Sequence, residues 1–330
     1  MRDIAKRAGV SIATVSRVLN EPEKVSPETR ARILKIIGQT GFVANALARG
    51  LASRSSRTVG ILVVDVCHAY SAAMTHALER HMTEFGYNVL LANTGGEIGE
   101  KQKYLRVMLE KKVDGLILVG SVFRERGGNE HIVWASQHVP IVMLNSFVEA
   151  PAIYSVLCDD AAGVSAAVGH LAGLGHRAVW FLSEAATFSG LAKLRGFRRA
   201  MQRHGLDGRG IVHVPRSLEG GRAGVRHILE TGRKVTAVIT GEDITAIGAL
   251  KEIGASSLAV PRDVSVIGYN SSLLADLATP RLTSVDSRVA DMAAAAVDLL
   301  FDVLKGKSAP HKTVFEPFLV ARDSTAPPPA

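Results

Sequence analysis

Asp3-Ile4-Ala5-Lys6-Arg7-Ala8-Gly9-Val10-Ser11-Ile12-Ala13-Thr14-Val15-Ser16-Arg17-Val18-Leu19-Asn20 reads as a helix, a glycine turn and a second helix opened by a serine. Ile4, Ala5 and Ala8 recur at helical spacing and make an inward face; Val15, Val18 and Leu19 do the same in the second helix. Gly9 turns the chain, and Ser11 carries the side chain of an N-cap. Two helices joined this tightly form a helix-turn-helix, whose second helix can enter the DNA major groove. Ile12, Ala13, Ser16, Arg17 and Asn20 are left on its outer face.

The loop 21–25 leads into Ser26-Pro27-Glu28: a cap, a proline at the first helical position and an acid in the first turn. Ile33, Leu34, Ile36 and Ile37 supply the apolar face of this third helix. Residues 45–58 then form a linker whose first half has helical composition, with Asn45 available as a cap. It is shorter than the roughly 12–15 residues that an isolated helix needs, and Gly50 weakens it further. Such a segment can fold on meeting a partner; a plain tether fits the same residues.

From residue 59 short apolar runs alternate with helical stretches. Runs at 59–64, 89–92, 116–119 and 141–144 enclose helices near 71–85, 99–112 and 129–137. The alternation restarts after residue 160, with strands at 178–182, 237–240 and 264–268 and helices near 161–174, 189–204, 219–231 and 243–253. Strands alternating with helices imply parallel sheets covered on both faces. Two such sets imply two similar subdomains, with ligands bound beyond the carboxyl ends of the strands. The composition of 324–330 predicts a disordered tail.

The charge is unevenly placed. The net charge is +8, and residues 1–57 hold 11 Lys and Arg against 4 Asp and Glu. A basic module on a near-neutral body points to a polyanion partner for the module alone; a solubilising basic face would give the same count. Two cysteines, Cys67 and Cys158, with no CxxC between them, argue against zinc or a disulfide framework. Both lie near the ends of apolar runs, where buried thiols are expected. No signal peptide precedes the helix-turn-helix, and no apolar run reaches spanning length. The expected location is the cytoplasm, with no membrane contact.

The chain as a whole resembles the lactose-repressor (LacI-type) family of bacterial transcription regulators. The resemblance rests on Ala8-Gly9-Val10-Ser11 followed by Thr14-Val15-Ser16-Arg17-Val18-Leu19-Asn20, and on Val25-Ser26-Pro27-Glu28-Thr29-Arg30. It continues in Asn45-Ala46-Leu47-Ala48-Arg49, Arg57-Thr58-Val59-Gly60, Val113-Asp114-Gly115-Leu116-Ile117, Gly175-His176-Arg177, Pro261-Arg262-Asp263-Val264-Ser265-Val266-Ile267-Gly268 and Leu282-Thr283. It implies an α/β fold: a three-helix head at 1–44, a hinge helix and linker at 45–58, and a periplasmic-binding-protein-like core at 59–320. In that core two Rossmann-like subdomains take 59–158 with 287–313 and 161–284 with 316–320, and 321–330 is a tail. The chain should cross between subdomains three times, near 158–161, 284–288 and 312–318.

The resemblance puts Ile12, Ala13 and Arg17 at base-reading positions. An arginine can donate two hydrogen bonds to guanine, while Ile12 and Ala13 offer only apolar contact; a phosphate contact is the alternative for Arg17. Ser11, Thr14, Ser16 and Asn20 suit phosphates, which fix register without reading sequence. Lys24 is a backbone or groove-edge contact. In the hinge, Leu51 stands where the family wedges a leucine into a base step, flanked by Asn45, Ala48 and Arg49. The family's usual proline before the asparagine is Ala44 here. Paired heads imply a homodimer on a pseudo-palindromic double-stranded DNA operator. No leucine-heptad run follows the core, which favours a dimer over a tetramer.

The same resemblance lines an effector cleft with His68, Tyr70, Ser71, Asn145, Lys193, Glu242 and Asn270. Asp243 is expected to be structural, and Leu218 lies near the place of the family's aromatic stacking residue. Asn145 and Asn270 stand where carboxylates are common, which lowers the negative charge; Glu242 returns one carboxylate. Lys193 replaces a usual arginine, keeping the cation without its fork. The effector is expected to be a sugar or a sugar acid, with an acid favoured. A transport binding protein would share the core but lack the DNA head. An enzyme is disfavoured, since no phosphate loop, GxSxG or metal motif occurs, and no cofactor or metal is expected.

Overall fold

The computed structural model describes residues 1–20, 22–40, 55–125, 127–184 and 187–329. The chain divides into two units, Met1–Thr58 and Val59–Ala330.

In the first unit the helix Arg2–Ala8 ends on Gly9, whose φ of 64° is left-handed. The amide of Val10 then closes back on the Ala5 carbonyl at 3.0 Å, which satisfies a carbonyl that the helix end leaves open. Ser11 Oγ accepts from the Thr14 amide at 3.1 Å and caps the helix Ile12–Asn20. Ser26 Oγ accepts from the Thr29 amide at 3.4 Å at the start of the helix Pro27–Thr40. Ile4, Ala5, Ala8, Val15, Val18 and Ile33 form the buried core, with Leu19, Ile36 and Ile37 packed against it. Leu34 departs from the sequence expectation: it is 49% exposed. The three α-helices among the described residues of this unit enclose so small a core that the stripe through Ile33 and Ile37 suffices, and the neighbouring position falls outside it.

The second unit holds, among the described residues, twelve strands: β1 (Thr58–Val63), β2 (Asn88–Asn93), β3 (Gly115–Val119), β4 (Ile141–Leu144), β5 (Ile153–Cys158), β6 (Val179–Ser183), β7 (Ile211–His213), β8 (Ala237–Thr240), β9 (Ser265–Tyr269), β10 (Thr283–Asp286), β11 (Lys312–Phe315) and β12 (Phe318–Val320). They form two six-stranded sheets, β11-β5-β4-β3-β1-β2 and β12-β10-β9-β8-β6-β7. β3, β4 and β8 are buried along their whole length. This is why they read as continuous apolar runs instead of alternating ones: helices cover both faces.

The chain passes between the sheets three times. β5 lies in the first sheet and the helix Asp160–Gly173 packs on the second. β10 lies in the second, and the helix Val289–Leu304 packs on the first. β11 and β12 belong to opposite sheets and are separated only by Glu316 and Pro317.

Glycines bring two helices of the second half together. A Cβ on Gly221 would collide with the Thr245 carbonyl, and one on Gly248 with the Leu218 carbonyl. The helices Leu218–Glu230 and Asp243–Ala255 thus meet backbone to backbone.

Two expectations are corrected. The segment 324–329 is ordered against the second sheet. Ser324 is fully buried, donates from Oγ to the Val266 carbonyl at 2.6 Å and accepts from the Thr283 amide at 2.8 Å. The Ala326 carbonyl accepts from Ser265 Oγ at 3.1 Å and lies 2.8 Å from His176 Nε2. A proline-rich segment has no local structure of its own, but here β9 and β10 supply partners for its polar groups. Cys67 is exposed, while Cys158 is buried. The chain has already left the sheet at Val63, and the Cys67 amide turns back on Asp65 Oδ1 at 2.9 Å.

Candidate functional site

Two surfaces carry the chemistry. On the head, Ser11, Ile12, Ala13 and Arg17 are exposed, Thr14 and Ser16 are half-buried, and Lys24 is exposed in the turn Pro22–Lys24. Ile12 stays 44% exposed, although an isoleucine gains by burial. Asn20 closes the helix. The face opposite the core therefore presents apolar groups and one guanidinium. Asn45, Ala48, Arg49 and Leu51 lie outside the described residues.

In the second unit a cleft opens beyond the carboxyl ends of both sheets, as open α/β sheets dictate. Its free volume, the open mouth included, is about 500 Å³, a size suited to a small molecule. The structure brings His68, Tyr70, Ser71, Asn145, Lys193, Glu242 and Asn270 together in its wall. Two contacts bridge its lips: Ser121 Oγ donates to Thr187 Oγ1 at 3.0 Å, and the Arg124 guanidinium lies 4.9 Å from the Phe188 ring centroid.

Asn145, Asn270 and Lys193 are each held by other residues. Asn145 has a φ of 54°; its Nδ2 donates to Tyr70 Oη at 2.9 Å and its Oδ1 accepts from the Cys158 amide at 2.9 Å. An asparagine tolerates that left-handed backbone better than most residues. Asn270, at a φ of 93°, donates from Nδ2 to Glu242 Oε2 at 2.6 Å. Lys193 is buried; its Nζ donates to the Gly241 carbonyl at 2.8 Å and lies 3.8 Å from the Tyr269 ring centroid. The nearest Glu242 oxygen is 3.9 Å away, too far for a hydrogen bond.

Burial drives the protonation pattern. It lowers the His68 pKa to about 4, with Arg216 adding to the effect. At neutral pH His68 is therefore uncharged, and its 3.6 Å approach to Glu242 Oε2 is not an ion pair. Burial raises Glu242 and Asp160, while Lys193 pulls both back. The same burial works against the Lys193 charge, but Glu242, Asp160 and Glu184 outweigh it and hold the ammonium above its ordinary range.

Asp243 stands behind the wall. It accepts from the Ser272 amide and hydroxyl, each at 2.7 Å, and from Ser284 Oγ at 2.6 Å. It thereby ties the loop after β9 to β10. Among the wall residues with polar side chains, sequence reading missed Ser121, Asp160, Ser189 and Arg216. Asp160 and Arg216 follow strands β5 and β7, so the carboxyl-end rule was a usable signal for them. Leu218 does not line the cleft; Arg216, two residues earlier, does.

Comparison with known proteins finds matches in both units. Residues 1–45 match the family described as bacterial regulatory proteins, lacI family, and residues 168–325 match the periplasmic binding protein-like domain. An HTH-type transcriptional regulator of Lachnoclostridium phytofermentans is 37% identical over 327 residues, covering 98% of each chain. Among solved structures, the lac repressor dimer bound to operator and the anti-inducer ONPF has a TM-score of 0.90 at 24% identity over 98% of each chain, a likeness of fold. A transcriptional regulator CelR–cellobiose complex has a TM-score of 0.74 at 27% identity, over 97% of this chain and 98% of that one. The protein is a helix-turn-helix transcriptional regulator with a periplasmic-binding-protein-like core. It belongs to the lacI family of bacterial regulatory proteins. Among the described residues no helix is long and apolar enough to cross a membrane.

Proposed function

We propose that this regulator represses transcription in the cytoplasm, binding a pseudo-palindromic operator as a homodimer, and that a sugar or sugar acid in the cleft controls it. The observation that carries the reading is the outer face of the helix Ile12–Asn20, where exposed Ile12, Ala13 and Arg17 stand opposite a packed core. In this reading Arg17 pairs with guanine, and Ser11, Thr14, Ser16, Asn20 and Lys24 hold phosphates. The head spans 1–44 and the hinge 45–58, with Asn45, Ala48, Arg49 and Leu51 entering the minor groove.

The effector core spans 59–320, and His68, Tyr70, Ser71, Asn145, Lys193, Glu242 and Asn270 meet the ligand. The relative solved with cellobiose supports a saccharide occupant, and the one solved as a dimer on its operator supports paired heads. Leu273 and Leu277, 71% and 70% exposed, give the core an apolar surface for a second copy. Ligand acts by binding two dimer states unequally, so operator and ligand must affect each other reciprocally.

Fluorescence anisotropy on duplexes tiled from DNA flanking the gene tests this. The expected result is tight, salt-dependent binding to one pseudo-palindrome, changed by one sugar or sugar acid. Weak, sequence-independent binding to every duplex across the genome would overturn it.

A further inference from the structure

The cleft holds more hydrogen-bond donors than its own acceptors use. Lys193 spends one of its three donors on the Gly241 carbonyl. Arg216, exposed at the wall, makes no hydrogen bond or ion pair with the described residues. The carboxylates are already engaged: Asn270 donates to Glu242, and the hydroxyls of Ser189 and Tyr269 bond to Asp160.

One more carboxyl, absent from the wall itself, decides the balance. Glu184 follows β6 and fills the space beside Gly241, where a Cβ would collide with its Oε2. Its Oε1 and Oγ1 of Thr245 are both buried with no other hydrogen-bond partner among the described residues, and the Thr245 hydroxyl acts weakly on the carboxyl, favouring its charged form. Glu184 is half-buried, and a carboxylate with a buried, weakly bonded oxygen is less favourable as an anion than as an acid.

We propose that Glu184 and Glu242 hold one proton between them, and that this proton leaves Lys193 and Arg216 free to bind the acid group of a carboxylated ligand. The inference rests on the effector role proposed for the cleft. The titratable and charged groups facing the pair come from four elements. Lys193 belongs to the helix Phe188–Arg203, and Arg216 precedes the helix Leu218–Glu230. Asp160 opens the helix Asp160–Gly173, and His68, which is neutral, precedes the helix Ala69–Glu84. Burial and the Glu242 charge together lift Glu184 to about 8, against the pull of Lys193, the Thr245 hydroxyl and Arg216. Below that pH two cations face two engaged carboxylates. Above it a third carboxylate competes with the ligand for Lys193.

Infrared spectra of the full chain with isotope-labelled glutamate test the proton directly. The expected signal is the carbonyl stretch of a protonated glutamic acid at pH 7, fading through about pH 8 and missing in E184Q. No such band at pH 7 overturns the proposal, whether or not any probe binds. D-glucuronate and D-galacturonate, each against its neutral hexose, test the ligand class by calorimetry. The uronate should bind more tightly, lose about tenfold in affinity between pH 7 and pH 9, and keep its affinity in E184Q. A hexose that binds as tightly as its uronate, or a uronate affinity indifferent to pH, overturns it. Operator binding in the same samples separates the two readings: a uronate that binds with this pH profile but never changes DNA affinity sinks the effector role and leaves the proton in place.

Discussion

The outer face of the recognition helix lies on nine consecutive residues, Ile12–Asn20. The cleft draws its wall from segments that follow eight different strands, from His68 after β1 to Asn270 after β9. This difference separates function from stability in one region and joins them in the other. Arg17 is exposed and can be removed without disturbing the core beneath it. Lys193 is buried and Glu242 half-buried beside it, so that each supports the fold of the wall as well as its chemistry.

The largest expected effect breaks the comparison on the side of the core. Gly248→Ala puts a methyl onto the Leu218 carbonyl and should lower the core's unfolding free energy by about 3 kcal/mol. The denaturation midpoint measures it, and DNA binding below that midpoint should stay intact. Arg17→Ala tests the other side. It should weaken operator binding by about 2 kcal/mol, the loss of a guanine pair, with the melting temperature unmoved. A shifted melting temperature would mean that the head, too, couples function to stability.

Glu184 sharpens the contrast through pH. Its folded pKa of about 8 lies above the ordinary 4.5, so the folded state binds the extra proton between those values. Stability from this group is therefore lost as pH rises from 4.5 through 8. Glu184→Gln should remove that slope and make the core more stable than the natural chain at pH 9; chemical denaturation at pH 6 and pH 9 measures the crossing. Gly241→Ala should displace the same carboxyl and abolish its protonated infrared band. The smallest effect is Ser11→Ala, which removes the cap at the Thr14 amide. It should cost about 1 kcal/mol of head stability, read by the loss of helical signal on heating.

What was legible in the residues followed the same division. Ser11, Gly9, Ile4 and Val15 announced the head, because caps, left-handed turns and helical spacing act over a few residues. The strands announced themselves as apolar runs, since helices cover both faces of each sheet. Leu34 misled because a stripe's width depends on what packs against it. Cys67 misled because its burial depends on where the chain leaves the sheet. The tail misled because Ser324 and Ala326 find their partners on β9, β10 and His176, far away in sequence.

The sequence by itself determined the helix-turn-helix, the outward set Ile12, Ala13 and Arg17, the α/β alternation and the family. All of these rest on local propensity or on motifs read in order. Only the tertiary structure decided that Asp160, Ser189 and Arg216 join the cleft, and that Glu184 lies against Gly241 beside Glu242 and Lys193. Burial and neighbouring charge fix how those groups protonate, and both come from residues that the fold, and not the chain order, makes adjacent.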